Sequence, residues 1–448
     1  MQAFPSKMVS VSVSVAALVA ALASCSTGQP AGPAASLSSV QRLDQTLRAV
    51  VDDPVHGMAS LSVLAMRDGK VSYQGQFGMR HFGNGARPDQ PATPETMYRI
   101  ASVSKLVTTM GVMKLVEQGK LSLDEDVGTY LGFSVRNPAF PGNKITLRML
   151  LSHTSSLRDG AGYSWGAKQT LRDVMQQGTA MWSPATAPGT FFTYCNLNWG
   201  VVGTIMETVS GERFDRLMDR LVLQPLGLRG GYNVVEFTPG DWSNVATLYR
   251  KRSAEGAPWD PAGPWFAQVD DTGVAPVPVA DLDRYVVGSN GTLFSPTGGL
   301  RVSATDMGKI MLMLMDQGRH EGAVFLQRSS VAAMFSRQWT YSAASANGDT
   351  DAGLFVAWGL GMQHFEDREG QRSSLVEGGG FSASGHLGDA YGLLSVFAFD
   401  PVKRNGMVVL IGGTKRDPAI TPGQYSALSR QAERVLMPLY QQAVLPAK

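Results

Sequence analysis

Cysteine is almost absent from this chain, and so are the patterns that bind metals or cross membranes. Its 448 residues include two cysteines, Cys25 and Cys195. The sequence has neither an H-E-x-x-H nor a C-x-x-C spacing, so we expect no metal site and no cofactor. No segment after residue 25 is long and apolar enough to span a bilayer. Because the net charge is only +2 and the sequence contains no basic run, we do not expect the protein to bind nucleic acid.

The N-terminus has the composition of an export signal. Lys7 is its only charged side chain, and an apolar run follows. The run ends in L-A-S-C, which resembles the lipobox of bacterial lipoproteins and implies a lipid on Cys25. An ordinary signal peptide is the alternative. We therefore expect a signal peptide over 1–24, a tether over 25–36, and a periplasmic lipoprotein anchored in the outer membrane.

Strand patterns occur at both ends of the chain, and helical patterns fill the middle. The strands are predicted at 59–66, 71–77, 393–399 and 407–411, and helices at 38–51 and 423–443 flank them. Strands from both ends can share one antiparallel sheet only if the middle is an insertion. We therefore expect an α+β fold with a sheet domain (37–98 and 352–448) and an inserted helical domain (99–351), of which 231–298 is rich in loops.

The stretch Y-R-I-A-S-V-S-K predicts a nucleophile at the start of a helix. Ser102 falls at the predicted N-terminus, where free backbone N–H groups favour a developing oxyanion. Lys105 lies one turn further on, and its amine can take the hydroxyl proton if burial lowers its pKa. A capping serine followed by a surface lysine is the alternative interpretation.

Two further motifs carry polar groups that suit the same chemistry. Tyr194 stands two residues before Asn196; a phenol near an ammonium has its phenolate favoured and can act as a base. Asn196 can donate to a substrate carbonyl or accept from Lys105. His386-Leu387-Gly388 follows a glycine-rich approach and enters an apolar strand. A backbone N–H on Asp389 could pair with that of Ser102 as an oxyanion hole.

The three motifs, in this order, resemble the serine β-lactamase and penicillin-binding-protein superfamily, in particular its class C branch with esterases and D-amino-acid peptidases. The resemblance covers about 40–440 and implies a β-lactamase/transpeptidase-like fold with a five-stranded antiparallel sheet flanked by terminal helices. It implies that Ser102 is acylated, that Lys105 and Tyr194 share acid–base duty, and that Asn196 orients the substrate. His386 and Gly388 then take the substrate-binding place of the third motif, whose lysine His386 replaces. His153, in L-S-H-T, is taken as structural.

One departure from the family pattern bears on the substrate. Leu387 has no hydroxyl where a threonine of the K-T-G motif helps hold a carboxylate, and the loss should cost about 1–3 kcal/mol in carboxylate binding. We therefore expect a serine hydrolase that acts on an ester or a similar small-molecule or peptide acyl donor. The alternatives are a β-lactamase or D-Ala-D-Ala carboxypeptidase, and a non-catalytic penicillin-recognising or cell-wall-binding lipoprotein.

A competing nucleophile motif also occurs. Gly162-Tyr163-Ser164-Trp165-Gly166 matches the G-x-S-x-G elbow of α/β-hydrolases. That elbow needs an apolar strand immediately before it, and residues 154–161 are polar and rich in turn formers. We therefore expect Ser164 not to be the nucleophile.

Overall fold

A large antiparallel sheet organises the fold in a computed structural model that describes residues 37–83 and 88–446. The predicted signal peptide, the tether and Cys25 lie outside the described residues. The strands of the described part are β1 (Ser60–Arg67), β2 (Lys70–His81), β3 (Gln90–Pro91), β4 (Met97–Arg99), β5 (Gly230–Gly231), β6 (Leu248–Lys251), β7 (Trp265–Val269), β8 (Arg301–Ser303), β9 (Arg319–His320), β10 (Ala323–Val324), β11 (Trp339–Thr340), β12 (Ala357–Trp358), β13 (Gln363–Phe365), β14 (Ala383–Ala390), β15 (Leu393–Asp400), β16 (Asn405–Ile411) and β17 (Gly413–Thr414).

Eleven α-helices accompany the strands in residues 37–83 and 88–446. They are α1 (Ser39–Val51), α2 (Ser104–Glu117), α3 (Val127–Leu131), α4 (Leu147–Leu151), α5 (Leu171–Gln176), α6 (Leu197–Ser210), α7 (Phe214–Met218), α8 (Pro239–Ser243), α9 (Ala304–Met315), α10 (Arg328–Phe335) and α11 (Arg430–Leu439). None of the helices in this described part combines the length and the apolar character needed to cross a bilayer.

The large sheet joins the two ends of the chain, as the sequence predicted. Its strand order is β11-β12-β13-β14-β15-β16-β1-β2-β3, and all neighbours are antiparallel. Leu61 of β1 lies opposite Ile411 of β16. The predicted count of five matches only the long strands β1, β2, β14, β15 and β16. Four strands of two or three residues extend the sheet to nine, and such short strands carry no readable periodicity.

The two faces of this sheet pack against different helices. Phe397 of β15 belongs to a core that includes α2, α6 and α9, whereas the adjacent Val396 belongs to a core that includes α1 and α11. This alternation is the period of two expected for a strand buried on both faces. The terminal helices therefore cover one face and the helices of the middle segment cover the other.

The closing helix is shorter than predicted. The pattern indicated residues 423–443, but α11 begins at Arg430. The carboxylate of Glu433 accepts hydrogen bonds from the backbone N–H groups of Gln424, Tyr425 and Ser426, which fixes these residues as a loop. The described residues from Ser39 onward form one compact unit, so the boundaries predicted for an inserted domain stay a prediction.

Candidate active site

Ser102 lies in a single 3-10 turn, Ala101–Val103, that continues directly into α2. Eleven of the fourteen residues of α2 are buried, so the helix is a fixed element of the core. Ala101 has a φ of +47°, a left-handed conformation that costs a non-glycine residue about 1–3 kcal/mol. Backbone strain of this kind is concentrated at functional sites, and here it immediately precedes the serine.

Lys105 is fully buried behind Ser102, and its amine has three hydrogen-bond partners. The Nζ atom lies 2.8 Å from Ser102 Oγ, 2.9 Å from Asn196 Oδ1 and 3.0 Å from the carbonyl oxygen of Thr297. The amide and backbone carbonyl oxygens can only accept hydrogen bonds. A neutral amine has two N–H bonds, which these two oxygens occupy, and its lone pair is then left for the hydroxyl of Ser102.

The surroundings of Lys105 favour that neutral form. Burial lowers the pKa of the amine to about 7, against a smaller opposing influence of the Asp159 carboxylate. A substantial fraction of the amine is therefore unprotonated at neutral pH. This protonation state and the 2.8 Å contact together fit Lys105 to accept the proton of Ser102.

Tyr194 lies beside both groups but does not become a phenolate. Its hydroxyl is close enough to Ser102 for a side-chain hydrogen bond, and Lys105 Nζ lies 4.9 Å from its ring centroid. Burial nevertheless raises the pKa of the phenol, so the predicted phenolate is wrong. The expectation considered the neighbouring charge and omitted desolvation, which is the larger effect here. A neutral phenol can pass a proton between Ser102 and the substrate.

The ring of Tyr194 is held between two aromatic side chains. His153 stacks on it with a centroid distance of 4.4 Å, and Phe355 stacks at 5.5 Å. His153 Nδ1 also accepts the backbone N–H of Cys195 at 2.9 Å, next to the tyrosine. His153 therefore orients Tyr194. This role is more specific than the general structural role that the sequence predicted for it.

Asn196 directs its side-chain oxygen at Lys105 because Asp159 holds the other side of the amide. Asp159 Oδ2 accepts from Asn196 Nδ2 at 2.9 Å and from the Asn196 backbone N–H at 3.0 Å. Its other oxygen accepts the backbone N–H of Leu197 at 2.9 Å, at the N-terminus of α6. One carboxylate thus caps the helix and fixes the amide orientation. Thr297 Oγ1 adds a donor to Asn196 Oδ1 at 2.8 Å.

His386 is neutral and presents a lone pair rather than a charge. It is 2% exposed, and its Nδ1 lies 2.6 Å from the carbonyl oxygen of Leu387, so Nδ1 carries the hydrogen. Burial, together with a smaller effect of the nearby Lys105, lowers the pKa of the imidazole to about 3. The Nε2 atom has no hydrogen-bond partner among the described residues. His386 therefore does not reproduce the positive charge of the family lysine that it replaces.

Gly388 lets β14 pass very close to the start of α2. A Cβ atom at this position would lie 2.7 Å from the carbonyl oxygen of Ile100 and 3.1 Å from Ala101 Cβ. It would also lie 2.3 Å from Ser395 Oγ, which donates to the Ile100 carbonyl at 2.9 Å. A side chain would push the strand away from Ser102. The oxyanion hole between the N–H groups of Ser102 and Asp389 stays a prediction, to which this close approach lends support.

A single cleft of about 900 Å³ brings the predicted groups together. It is lined by Ser102, Tyr194, Asn196, His386, Gly388 and Asp389. Lys105 lies behind the wall of the cleft, and its side chain is closed off from solvent. The volume is at the upper end of the range for small-molecule sites, which is about 300–1,000 Å³.

The G-x-S-x-G stretch forms part of the same cleft wall but not a nucleophile elbow. Tyr163 and Ser164 line the cleft, and Ser164 is exposed. The residues immediately before them, Asp159–Ala161, form a 3-10 turn instead of the strand that an elbow requires.

Sequence reasoning missed Asp159 and Thr297. Asp159 stands in a polar stretch of turn formers with no motif around it, and Thr297 immediately precedes the G-G-L-R stretch. Their contributions depend on contacts across 37 and 101 residues of sequence, respectively, which no local pattern reveals.

Relatives with known names share parts of the chain. D-alanyl-D-alanine-carboxypeptidase/endopeptidase AmpH of Escherichia coli (strain K12) is 29% identical over 170 residues, 37% of this chain and 43% of that protein. Penicillin-binding protein 4 of Amycolatopsis lactamdurans is 25% identical over 309 residues, 68% of this chain and 71% of that protein. The chain spans half or less of the length of the first curated relatives it matches.

Solved structures and a family model complete the comparison. EstCE1, described as a hydrolase with promiscuous acyltransferase activity, superposes with a TM-score of 0.60 at 22% identity, over 90% of this chain and 97% of that chain. D-amino acid amidase from Ochrobactrum anthropi SV3 does so with a TM-score of 0.60 at 20% identity, over 88% and 98%. These likenesses show the fold. The beta-lactamase family model matches residues 43–428, and the chain therefore belongs to the beta-lactamase family.

Proposed function

We propose that this protein is a serine hydrolase that acts through a Ser102 acyl-enzyme on a carboxylic ester or a similar neutral acyl donor. The observation that carries the proposal is the contact of Lys105 Nζ with Ser102 Oγ at 2.8 Å, where two acceptor oxygens occupy the amine's N–H bonds. A buried amine held in this way can remove the hydroxyl proton at neutral pH.

The reaction proceeds in two balanced steps. Ser102 Oγ forms a bond to the carbonyl carbon while its proton moves to Lys105 Nζ, and the carbonyl oxygen takes the negative charge. The carbonyl then re-forms as the bond to the leaving alkoxide breaks, and the proton held by Lys105 passes through the Tyr194 hydroxyl to the alkoxide, so that both side chains are neutral again. Water attacks the Ser102 ester in the same manner and releases the carboxylic acid with the free serine.

The third motif favours a neutral donor. Leu387 supplies no hydroxyl, and His386 is neutral with a buried acceptor nitrogen, so neither would attract a substrate carboxylate. A negatively charged group next to Nε2 would meet a lone pair, which is repulsive. An alcohol, an amide N–H or water could donate to it.

A panel of substrates tests the proposal. Purified wild-type protein and the Ser102→Ala variant are compared on short-chain p-nitrophenyl esters, nitrocefin and D-Ala-D-Ala peptides. We expect the wild-type protein to turn over esters steadily and to be labelled by a fluorophosphonate probe. Ser102→Ala should abolish both the turnover and the labelling. Stoichiometric acylation without turnover would instead identify a penicillin-recognising protein, and labelling that survives Ser102→Ala would overturn the proposal.

The position of Arg99 in the cleft wall favours a β-lactamase or D-Ala-D-Ala carboxypeptidase as the second candidate. Arg99 lines the cleft, donates from Nε to the Gly298 carbonyl oxygen at 3.1 Å, and lies 4.8 Å from the ring centroid of Tyr391. Its guanidinium is close enough to the cleft to receive a substrate carboxylate. If Arg99→Gln raises KM for carboxylated substrates and leaves KM for neutral esters unchanged, the result supports this second candidate.

We also propose export as an outer-membrane lipoprotein anchored through Cys25. The proposal rests on the L-A-S-C pattern at the end of an apolar run, before which Lys7 is the single charged side chain. Cys25→Ser should abolish metabolic incorporation of labelled palmitate and release the protein from the membrane fraction. Labelling that persists in this variant would contradict lipidation at this residue.

A further inference from the structure

The cleft continues from Ser102 to the opposite face of the large sheet. In β14 and β15, His386 lies opposite Phe397, and Leu387 lies opposite Val396. Paired residues share a face, and neighbours along a strand point to opposite faces. Phe397 belongs to the core of α2, and Val396 belongs to the core of α1 and α11. Because the cleft is lined by both His386 and Val396, it reaches both faces.

An open stretch of strand edge lets the cleft pass between the faces. The pairing of β13 with β14 ends at Gln363 and Gly385, whereas the pairing of β14 with β15 continues to Ala390. Beyond Gly385, the described pairing leaves one edge of β14 uncovered. Leu354 and Phe355 line the cleft together with residues of this edge. The catalytic groups and the far side are therefore connected around β14.

The far part of the cleft is mainly apolar and is bounded by the start of α11, with Gln363 and Ser429 as polar lining residues. We call it the apolar arm, and it is lined by Leu354, Leu387, Leu394, Val396, Leu428 and Ala432. Leu428 and Ala432 are 8% and 4% exposed, and Leu387 and Leu394 are half-buried. Asp389 shares this face of β14 but is exposed at the end of the strand, so the charge lies at the rim.

We propose that the apolar arm binds a long hydrocarbon chain of the substrate. The inference rests on the proposed function and names its substrate class, an ester with an extended alkyl chain. The continuity of the arm with the Ser102 cleft selects the occupant, because a chain attached to the reacting carbonyl can enter it around the β14 edge. Apolar walls favour methylene groups that leave water. A cleft of 900 Å³ has room beyond a short ester.

The chain can belong to the acyl group or to the alcohol, and two ester series distinguish these sources. One series consists of p-nitrophenyl esters with acyl chains of about two to twelve carbons, and the other of alkyl acetates with alcohols of the same lengths. We expect kcat/KM to rise along one series by up to about fourfold for each methylene that becomes buried. A flat dependence in both series, with Ser102-dependent turnover of the shortest ester, would overturn the proposal.

A variant that fills the arm gives the second measurement. Ala427 lines the cleft and is half-buried, so Ala427→Phe should narrow the arm without a large cost in folding. The expected result is a fall of at least about tenfold in the ratio of kcat/KM for the decanoyl and acetyl esters, or the decyl and ethyl esters. Ala254→Phe, on an exposed turn outside the cleft lining, is the matched control and should keep the wild-type ratio. If Ala427→Phe also keeps that ratio, the arm does not hold the chain.

Failure of the arm and failure of the hydrolase proposal give different results. Calorimetric titration of the Ser102→Ala protein with 2-dodecanone and 2-butanone measures binding without turnover. We expect the long ketone to bind more tightly, and Ala427→Phe in the same background to remove the difference. Absence of ester turnover with this binding intact refutes the hydrolase alone, whereas turnover of short esters without preference for the long ketone refutes the arm alone.

Discussion

Asp159 accepts hydrogen bonds from both amide groups of Asn196, from Nδ2 at 2.9 Å and from the backbone N–H at 3.0 Å. This pair leaves Asn196 Oδ1 facing Lys105 Nζ at 2.9 Å. Reversal of the amide would place its NH2 group against the amine and remove one of the acceptors that orient it. Asp159 is therefore a positioning residue, which acts on the serine through Asn196 and Lys105.

Replacement of Asp159 should change both the rate and its pH dependence. We expect Asp159→Ala to lower kcat by about 10- to 100-fold, because a misplaced catalytic group is costly. The Asp159 carboxylate raises the pKa of Lys105, so its removal lowers that pKa. The acidic limb of the kcat/KM profile should therefore move to lower pH. If the rate falls but the acidic limb of the kcat/KM profile stays at the same pH, Asp159 has a merely structural role.

The wild-type enzyme should gain activity as pH rises through about 7. Lys105 accepts the serine proton only as a neutral amine, and burial lowers its pKa to about 7. Below this pH the amine is protonated and kcat/KM falls, while above it the profile levels off. The measurement is kcat/KM for a neutral ester between pH 5 and 9. Lys105→Ala should lower the rate of acylation by orders of magnitude. If this variant is acylated rapidly and its kcat/KM profile keeps the same acidic limb, Lys105 is not the base.

The motifs that sequence reasoning could recognise are those with fixed spacing along the chain. Ser102 and Lys105 are one helical turn apart, so their proximity follows from the helix itself. The kind of role that Gly388 plays could also be predicted, because glycine permits a close approach of the backbone that a side chain would exclude. The protonation states could not be predicted. The resemblance to the superfamily implies that Lys105 lies near Tyr194, but burial keeps the phenol neutral.

The fold was predictable where the strands are long and both faces are buried. Leu61 and Ile411 lie in strands that are buried along almost their whole length, and their pairing joins the chain ends as expected. The short strands at the edges and the loop before Arg430 depend on tertiary contacts, such as those of Glu433 with backbone N–H groups. The open edge of β14 likewise depends on where β13 ends, and no pattern within β14 marks it.

Tyr194→Phe should separate the hydroxyl from the ring. The ring contacts with His153 and Phe355 remain in the variant, so Tm should stay close to that of the wild type. Loss of proton transfer should lower kcat by about 10²- to 10⁴-fold. Ester kinetics and a thermal scan of the same preparation check both points. A large fall in Tm would mean that the hydroxyl mainly stabilises the fold.

Ser164→Ala tests the competing nucleophile. Ser164 lines the cleft but follows a 3-10 turn, Asp159–Ala161, and is exposed. We expect kcat to stay within about twofold of the wild type, because Ser164 takes no part in the proton transfers of the proposed mechanism. Ser102→Ala serves as the inactive reference in the same assay. Loss of fluorophosphonate labelling in Ser164→Ala, but not in Ser102→Ala, would make Ser164 the nucleophile.

Acidification should destabilise the fold through histidines that are buried in their neutral form. His364 on β13 is 8% exposed, and burial lowers its pKa from 6.5 to about 4. Between these two values the unfolded chain binds a proton that the folded chain does not. The free energy of unfolding therefore falls as pH decreases from about 6.5 to about 4, by on the order of 3 kcal/mol for this residue.

The contribution of His364 can be isolated by replacing it with a residue that does not titrate. His364→Asn should lose less stability between pH 7 and pH 4.5 than the wild type does, as measured by urea denaturation at both values. His320→Asn, at a more exposed position on β9, is the control and should keep the wild-type dependence. His153 and His386 are buried with lowered pKa values as well, so part of the acid sensitivity should survive in His364→Asn. An unchanged difference between the two pH values in His364→Asn would show that this imidazole is protonated in the folded chain as readily as in the unfolded one.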